Sequence, residues 1–287
     1  MDNFLKYLTP GERDKEWGIY LNVAGMARVA PHTVYPPPDH PTGYHFNWEQ
    51  GRILKEYQIN YITDGKGVLE SEGTHSPLRP GSILITRPGV WHRYKPLRQT
   101  GWKEQYIGFN GSIADQFFSH SFFLPSQPVI NIGIREEILD TYLTIFDLVR
   151  EEKPGFQQIV SGLVIKLMGY IFSFETQKEF TGKHIAAIIE EIRFKMREQV
   201  DQALDMEKLA QDYHIGYSYF RKMFKSYTGV PPHQYHLELK IMRARELLLS
   251  TDKSIKEISF ELGFQSIHYF SRIFKSKTGL PPSAFRR

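Results

Sequence analysis

The sequence predicts an α+β protein of two domains, an antiparallel β-barrel with trailing helices over residues 1–177 and an all-α domain with two helix-turn-helix motifs over 178–287. Three observations carry that reading. The chain has 287 residues, enough for two domains of roughly 150 residues that each bury a core. Short β-type runs between Gly and Pro punctuation fill Arg52 to Asn110. A block at 219–232 returns at 269–282 within a stretch of helical periodicity.

Composition narrows the class. Hydrophobic residues are 41% and charged residues 24% of the chain, with a mean hydropathy of −0.40, which disfavours disorder and excludes a collagen-like chain. There is no cysteine, so disulfides, thiolate nucleophiles, iron–sulfur clusters and cysteine-ligated zinc are excluded. No apolar run approaches the roughly 20 residues of a membrane span, and Met1 to Pro10 lacks a basic start and long apolar core. A cytoplasmic protein without membrane contact is expected. The net charge of +4 is unevenly spread: from Lys183 onward there are 18 Lys or Arg against 12 Asp or Glu, and before it 18 against 20. A polyanion partner for the C-terminal part explains that asymmetry, and a merely solvated basic surface explains it equally well.

In chain order, Tyr35-Pro-Pro-Pro-Asp-His-Pro41 is too proline-rich for a helix or central strand and reads as an extended arm able to fold over the barrel. Glu56 to Ile62 reads as a strand ending at Asp64-Gly65-Lys66-Gly67. Ser82 to Thr86 is a strand between Pro80-Gly81 and Pro88-Gly89, and Trp102 to Phe109 is an aromatic-rich one. Several short strands at this spacing favour an antiparallel barrel or sandwich.

The stretch Gly81-Ser-Ile-Leu-Ile-Thr-Arg-Pro-Gly-Val-Trp-His-Arg-Tyr94 resembles the second motif of the cupin barrels, with Gly81, Gly89 and His92 at that family's spacing. Metal-binding cupins pair this histidine with an earlier His-x-His and a glutamate, and no His-x-His occurs here. His32, His40 and His45 lie at irregular spacing in the proline-rich region. With His92 short of ligand partners, no metal site, cofactor or catalytic set is expected. What remains is a barrel able to hold a small molecule. His92 and Tyr94 share one side of their strand, and Trp102, Glu104 and Tyr106 share one side of theirs. If both rows face inward, aromatic faces stack on the apolar side of a sugar ring while Arg52, His92 and Glu104 bond its hydroxyls. For any single Trp or Tyr, plain core filling is an equal reading.

After the barrel, Ile138, Tyr142, Ile145, Phe146 and Val149 recur at helical steps, as do Val160, Leu163, Val164, Leu167, Met168 and Ile171, with Pro154-Gly155 between the two runs. These stripes pack on the barrel, on each other or on a second chain, and a homodimer is the expectation. Glu175 to Lys183 holds the linker.

The repeat is the most specific signal. Tyr219-Phe-Arg-Lys-Met-Phe-Lys-Ser-Tyr-Thr-Gly-Val-Pro-Pro232 returns as Tyr269-Phe-Ser-Arg-Ile-Phe-Lys-Ser-Lys-Thr-Gly-Leu-Pro-Pro282. Each copy reads as helix, turn, helix. Asp205 is the expected N-cap of the first copy, and Ser254 to Glu257 a capping box opening the second. Gly263 supplies the second turn, and His214, tolerant of positive φ, stands in the first. In the second helix of each copy, Phe220, Met223 and Phe224, or Phe270, Ile273 and Phe274, form a core face. Ser218, Arg221, Lys222 and Lys225, or His268, Ser271, Arg272 and Lys275, lie roughly 200° away at 100° per residue. A polar, cationic face on a helix whose back is buried is what a major-groove reader needs. Its appearance twice at matching positions argues against a chance basic surface.

The block from about His184 to Arg287 resembles the DNA-binding domain of the AraC/XylS family of transcription regulators. The likeness rests on Ile255-Lys-Glu-Ile-Ser-Phe-Glu-Leu-Gly-Phe264, Tyr269-Phe-Ser-Arg-Ile-Phe-Lys275 and Gly279-Leu-Pro-Pro282, and on Leu239, Met242, Arg243, Ala244, Leu247 and Leu248 before Thr251-Asp252. It implies a cupin-like sensor domain ahead of a DNA-binding domain, double-stranded DNA and RNA polymerase as partners, and effector contacts near the barrel mouth matching Arg52, Tyr94, Glu104 and Tyr106. The resulting expectation is a dimeric regulator controlled by a small molecule, a sugar or related carbohydrate. Ser218, Arg221, Lys222, His268, Ser271 and Arg272 would meet base edges, and Lys225 and Lys275 phosphates. Two other readings fit the same residues: a regulator whose barrel only dimerises, and a cupin enzyme fused to a DNA-binding domain.

Overall fold

A computed structural model describes residues 3–36, 47–119 and 128–286, and the chain divides into two compact units, Met1–Gln177 and Lys178–Arg287. His40, His45 and the arm beyond Pro36 lie outside the described residues.

The first unit begins with β1 (Phe4–Tyr7), α1 (Glu12–Glu16), β2 (Tyr20–Val29), β3 (Arg52–Ile53), β4 (Tyr57–Gly65), β5 (Gly67–Ser71), β6 (Thr74–Leu78), β7 (Ser82–Thr86), β8 (Trp91–Pro96) and β9 (Trp102–Asn110). It continues with α2 (Ser112–Ser119), β10 (Val129–Asn131), α3 (Glu136–Glu151) and α4 (Phe156–Lys178). A six-stranded sheet of order β1-β2-β9-β4-β7-β10 faces a four-stranded sheet of order β3-β8-β5-β6, with antiparallel pairing throughout. Alternation along β4 divides the two faces of the larger sheet. Tyr57, Ile59 and Tyr61 pack with Ile138, Tyr142, Phe146, Val160, Val164 and Leu167 of α3 and α4. Ile62 points the other way, into a barrel interior shared with Leu69, Leu78, Leu84, Tyr94 and Trp102.

Polar groups lock the helices to the sheet. Tyr142 Oη donates to Ile59 O at 2.8 Å. Gln157 of α4 serves both backbone groups of Leu21, accepting from its N–H at 2.9 Å and donating to its carbonyl at 3.1 Å. Leu21 lies beyond the span of β2 that pairs with β1 and beside a register shift against β9, so a side chain replaces the missing strand.

The expectation that no apolar run is long enough for a membrane needs correction. Helix α4 is long and apolar enough to cross one by length and composition, with a mean hydropathy of 1.4 over its most apolar 18 residues. Val160, Val164, Leu167, Met168 and Ile171 are buried against the rest of the unit, while Ile159, Ile165 and Phe172 are exposed on its other side.

The second unit is helical: α5 (His184–Glu198), α6 (Met206–Asp212), α7 (Tyr217–Thr228), α8 (Pro232–Ser250), α9 (Ile255–Glu261), α10 (Ile267–Thr278) and α11 (Pro282–Phe285). It has two cores, one built on Ile189, Ile192, Leu209, Phe220 and Phe224, the other on Ala244, Leu248, Ile258, Leu262, Phe270 and Phe274. The long helix α8 joins them, contributing Tyr235 and Leu239 to the first and Leu247 to the second.

Candidate functional site

Inside the barrel, β8 and β9 face one another across the two sheets. Arg52 of β3 pairs in register with His92 of β8. His92 Nδ1 lies 3.1 Å from Val90 O and must donate there, which leaves Nε2 to accept from Arg52 Nε at 3.3 Å. The ring is fully buried, and burial first and the Arg52 charge second push its pKa down to about 4, so it stays neutral. Among the described residues no three His, Cys, Asp or Glu side chains gather as a metal site requires.

Arg52 Nη2 donates to Tyr94 Oη at 2.7 Å, with the guanidinium 5.0 Å from the Tyr94 ring centroid. Asn60 of β4 donates to the same hydroxyl at 3.3 Å and to Glu104 Oε2 at 3.4 Å. Tyr94 meets Trp102 at 5.8 Å between centroids, and Tyr35, where the proline-rich arm begins, meets Trp102 edge-on at 5.7 Å. Tyr106 lies over Gly25, where any side-chain carbon would overlap its ring, which is why β2 carries a glycine in mid-strand. The structure thus brings together Arg52, His92, Tyr94, Trp102, Glu104 and Tyr106, the six residues singled out from sequence. It adds Gln58, Asn60 and Thr86, which that reading missed.

These additions carry the chemistry. Asn60 Oδ1, Gln58 Oε1, Thr86 Oγ1 and Trp102 Nε1 are buried without a hydrogen-bond partner among the described residues. Each such atom costs about 1–3 kcal/mol when left unpaired. A cavity of about 280 Å³ is lined by Ser71, Thr74, Thr86, Val90 and His92, and of the four atoms above it reaches only that of Thr86. Acceptors, an indole donor and a hydroxyl beside flat aromatic faces suit a ligand with an apolar ring face and several hydroxyls.

Glu104 is 4% exposed, and burial pushes its carboxyl up to about 7 against the Asn60 hydrogen bond and the Arg52 charge. A carboxyl whose folded pKa is raised is carried protonated by the native state, so stability is highest below the unfolded value of 4.5 and falls as pH rises through about 7. His92 acts in the opposite direction between about 4 and 6.5. The expected result is that Glu104→Gln gains stability over wild type from pH 5 to pH 8, by up to about 3 kcal/mol. Paired urea melts check this, and a constant difference across the range would contradict it.

In the helical unit, the two recognition helices are built alike. Asp205 accepts from the N–H groups of Glu207 and Lys208 at 2.9 and 3.1 Å, opening α6. Ser254 and Glu257 cap α9 reciprocally. The turns pass through His214 at φ 56° and Gly263 at φ 66°. Phe220, Met223, Phe224, Phe270 and Phe274 are buried, and Ile273 is half-buried. Ser218, Arg221, Lys222 and Lys225 are exposed on the far side of α7, as are His268, Arg272 and Lys275 on α10, with Ser271 half-buried. None of these five Lys and Arg residues forms an ion pair with a described residue. Two uncompensated cationic faces, each backed by its own core, suit the major groove.

Two family descriptions match the chain in the same order as the two units: an AraC-like ligand binding domain over residues 32–168 and a helix-turn-helix domain over 209–287. The chain belongs to the AraC/XylS family of transcription regulators. Relatives include the uncharacterised helix-turn-helix regulator YfiF of Bacillus subtilis, 28% identical over 74% of this chain and 70% of its own length. The lactose operon transcription activator of Staphylococcus xylosus is 22% identical over 74% of this chain and 77% of its own. The DNA-binding domain of AdpA, solved with target DNA, is similar at 28% identity over 34% of this chain and 88% of that one, with a TM-score of 0.33. This AraC-type chain is therefore a DNA-binding transcription regulator with a ligand-binding domain, and not an enzyme. The fused-enzyme reading falls.

Proposed function

We propose that this AraC-type regulator is a cytoplasmic homodimer whose barrel binds a neutral carbohydrate and whose α7 and α10 read adjacent major grooves, with RNA polymerase as the downstream partner. The observation that carries the effector class is the set of buried unpaired atoms on Gln58, Asn60, Thr86 and Trp102 beside the Tyr94 and Tyr106 rings. A ligand hydroxyl satisfies each of them, and the Tyr94 and Tyr106 rings take the apolar face of a pyranose or furanose. The lactose operon activator among its relatives supports the same class. The exposed Ile159, Ile165 and Phe172 on α4, with the open Gly162 and Gly169 between them, support a second copy on that face. Sedimentation of the purified chain as a monomer at micromolar concentration would remove the dimer. Ligand control requires that the sugar bind two conformations with different affinity.

A thermal-shift screen with neutral sugars tests the effector. A sugar at 100 times its Kd stabilises the protein by about 2.7 kcal/mol. Asn60→Leu, which removes the unpaired Oδ1 together with the Nδ2 bonds to Tyr94 and Glu104 at similar side-chain volume, loses the sugar response. A response only to polyanions or hydrocarbons, or to nothing, contradicts the reading, and the last outcome leaves a barrel that only dimerises.

A further inference from the structure

The helical unit contains a cleft whose lining includes none of the eight residues assigned above to DNA. Helix α8, the turn leading into α10 and the loop before α6 enclose about 460 Å³, within the size range of small-molecule sites. Its wall includes His233, His236 and Lys240, spaced i, i+3 and i+7 along one face of α8, and contains no Asp or Glu. Ser266 and Tyr269 of the α10 start line it as well.

Lys240 is the unusual member. It is 7% exposed, and its ammonium forms no hydrogen bond or ion pair with a described residue. Its surroundings are the Phe264 ring, 5.6 Å away, and the turn at Gly263. Burial lowers the Lys240 pKa, and Asp201 opposes this only through space. The ammonium borders the cleft, and an anion there would give it the charged partner that no described residue supplies. The start of α10 adds to the attraction. Ser266 Oγ accepts from Tyr269 N at 3.1 Å, while the N–H groups of Ile267 and His268 have no intrahelical acceptor and carry the positive end of the helix dipole. Tyr269 and Leu237 offer apolar surface beside this cationic end.

We propose that this cleft is a binding site for a small organic phosphate, its phosphate held by Lys240, His233 and the start of α10 and its body lying on Tyr269 and Leu237. Occupancy ties α8 to the second recognition helix, and so links a metabolite to how that helix is presented to DNA. The depth of Lys240 favours a free molecule over a duplex phosphate, whose convex backbone does not enter a cleft.

The test is calorimetry on the full-length protein with glucose 6-phosphate, inorganic phosphate and glucose as probes. The expected result is one phosphate-dependent site per chain whose affinity falls at least 10-fold in Lys240→Met and is unchanged in Asn60→Leu. His233→Asp, on the exposed rim, weakens the same site and keeps the test decisive if Lys240→Met does not fold. Neither phosphate probe binding at millimolar concentration overturns the proposal, as does equal binding by Lys240→Met. It is equally overturned if Lys240→Met leaves phosphate binding untouched and lowers the salt slope of DNA binding by about 0.9, which would give Lys240 to the DNA backbone.

Discussion

Phe270→Ala is expected to unfold the second helical core while leaving the first standing. Phe270 is fully buried, with its ring 5.0 Å from Phe264 and 5.6 Å from Phe274. Truncating such a ring costs about 3–5 kcal/mol through lost transfer energy and the cavity left behind. The core around it is small, and whole domains have only about 5–15 kcal/mol to lose. Ile258, Leu262 and Phe274 form a cluster separate from that of Leu209, Phe220 and Phe224, so the damage stays on the α10 side. Denaturant melts should show an early transition carrying part of the helical signal, and DNA binding should retain only the base preferences read by α7. Phe220→Ala should give the converse. A single unshifted transition in Phe270→Ala would mean that the two cores do not stand alone.

The next largest effects belong to the exposed arginines. Arg221 and Arg272 lie on corresponding faces of α7 and α10, Arg221 three residues after Ser218 and Arg272, the counterpart of Lys222, four residues after His268. A bidentate arginine contact to guanine contributes about 1–3 kcal/mol of discrimination, so each Arg→Ala variant should flatten preference at its own base by roughly 5- to 150-fold. Lys225→Ala and Lys275→Ala should instead weaken all sequences alike, each reducing the salt slope by about 0.9. Arg272 lies with its guanidinium 5.6 Å from the Tyr269 ring centroid, a contact that orders the side chain before DNA arrives.

The helical unit was legible in the sequence because its signals are local. A cap such as Asp205, a box such as Ser254 to Glu257, and a turn residue such as Gly263 act within a few residues, and the repeat displays each pattern twice. Even the exception was readable: His214 holds the left-handed turn that Gly263 holds forty-nine residues later. The barrel was legible in outline and obscure inside. In β4, Gln58 and Asn60 alternate with Tyr57, Ile59 and Tyr61, and such alternation ordinarily puts the polar row in water. Here α3 and α4 cover the apolar row, which turns the polar row into the barrel, and that covering is a tertiary fact no window of the strand contains. Strand β2 went unread for a related reason. Its Gly25 weakens the β pattern locally, and the ring it accommodates, Tyr106, is distant in sequence. Helix α4 hid its two-sidedness because apolar residues on both faces blur the stripe that would have separated the buried side from the exposed one.

The claim that one chain carries two independent readers is tested most directly by a base-substitution binding scan at fixed salt with wild type, Arg221→Ala and Arg272→Ala. The account predicts two clusters of important bases about 10 base pairs apart for each chain, one flattened by Arg221→Ala and the other by Arg272→Ala. A single cluster, or both variants altering preference at the same bases, would contradict it.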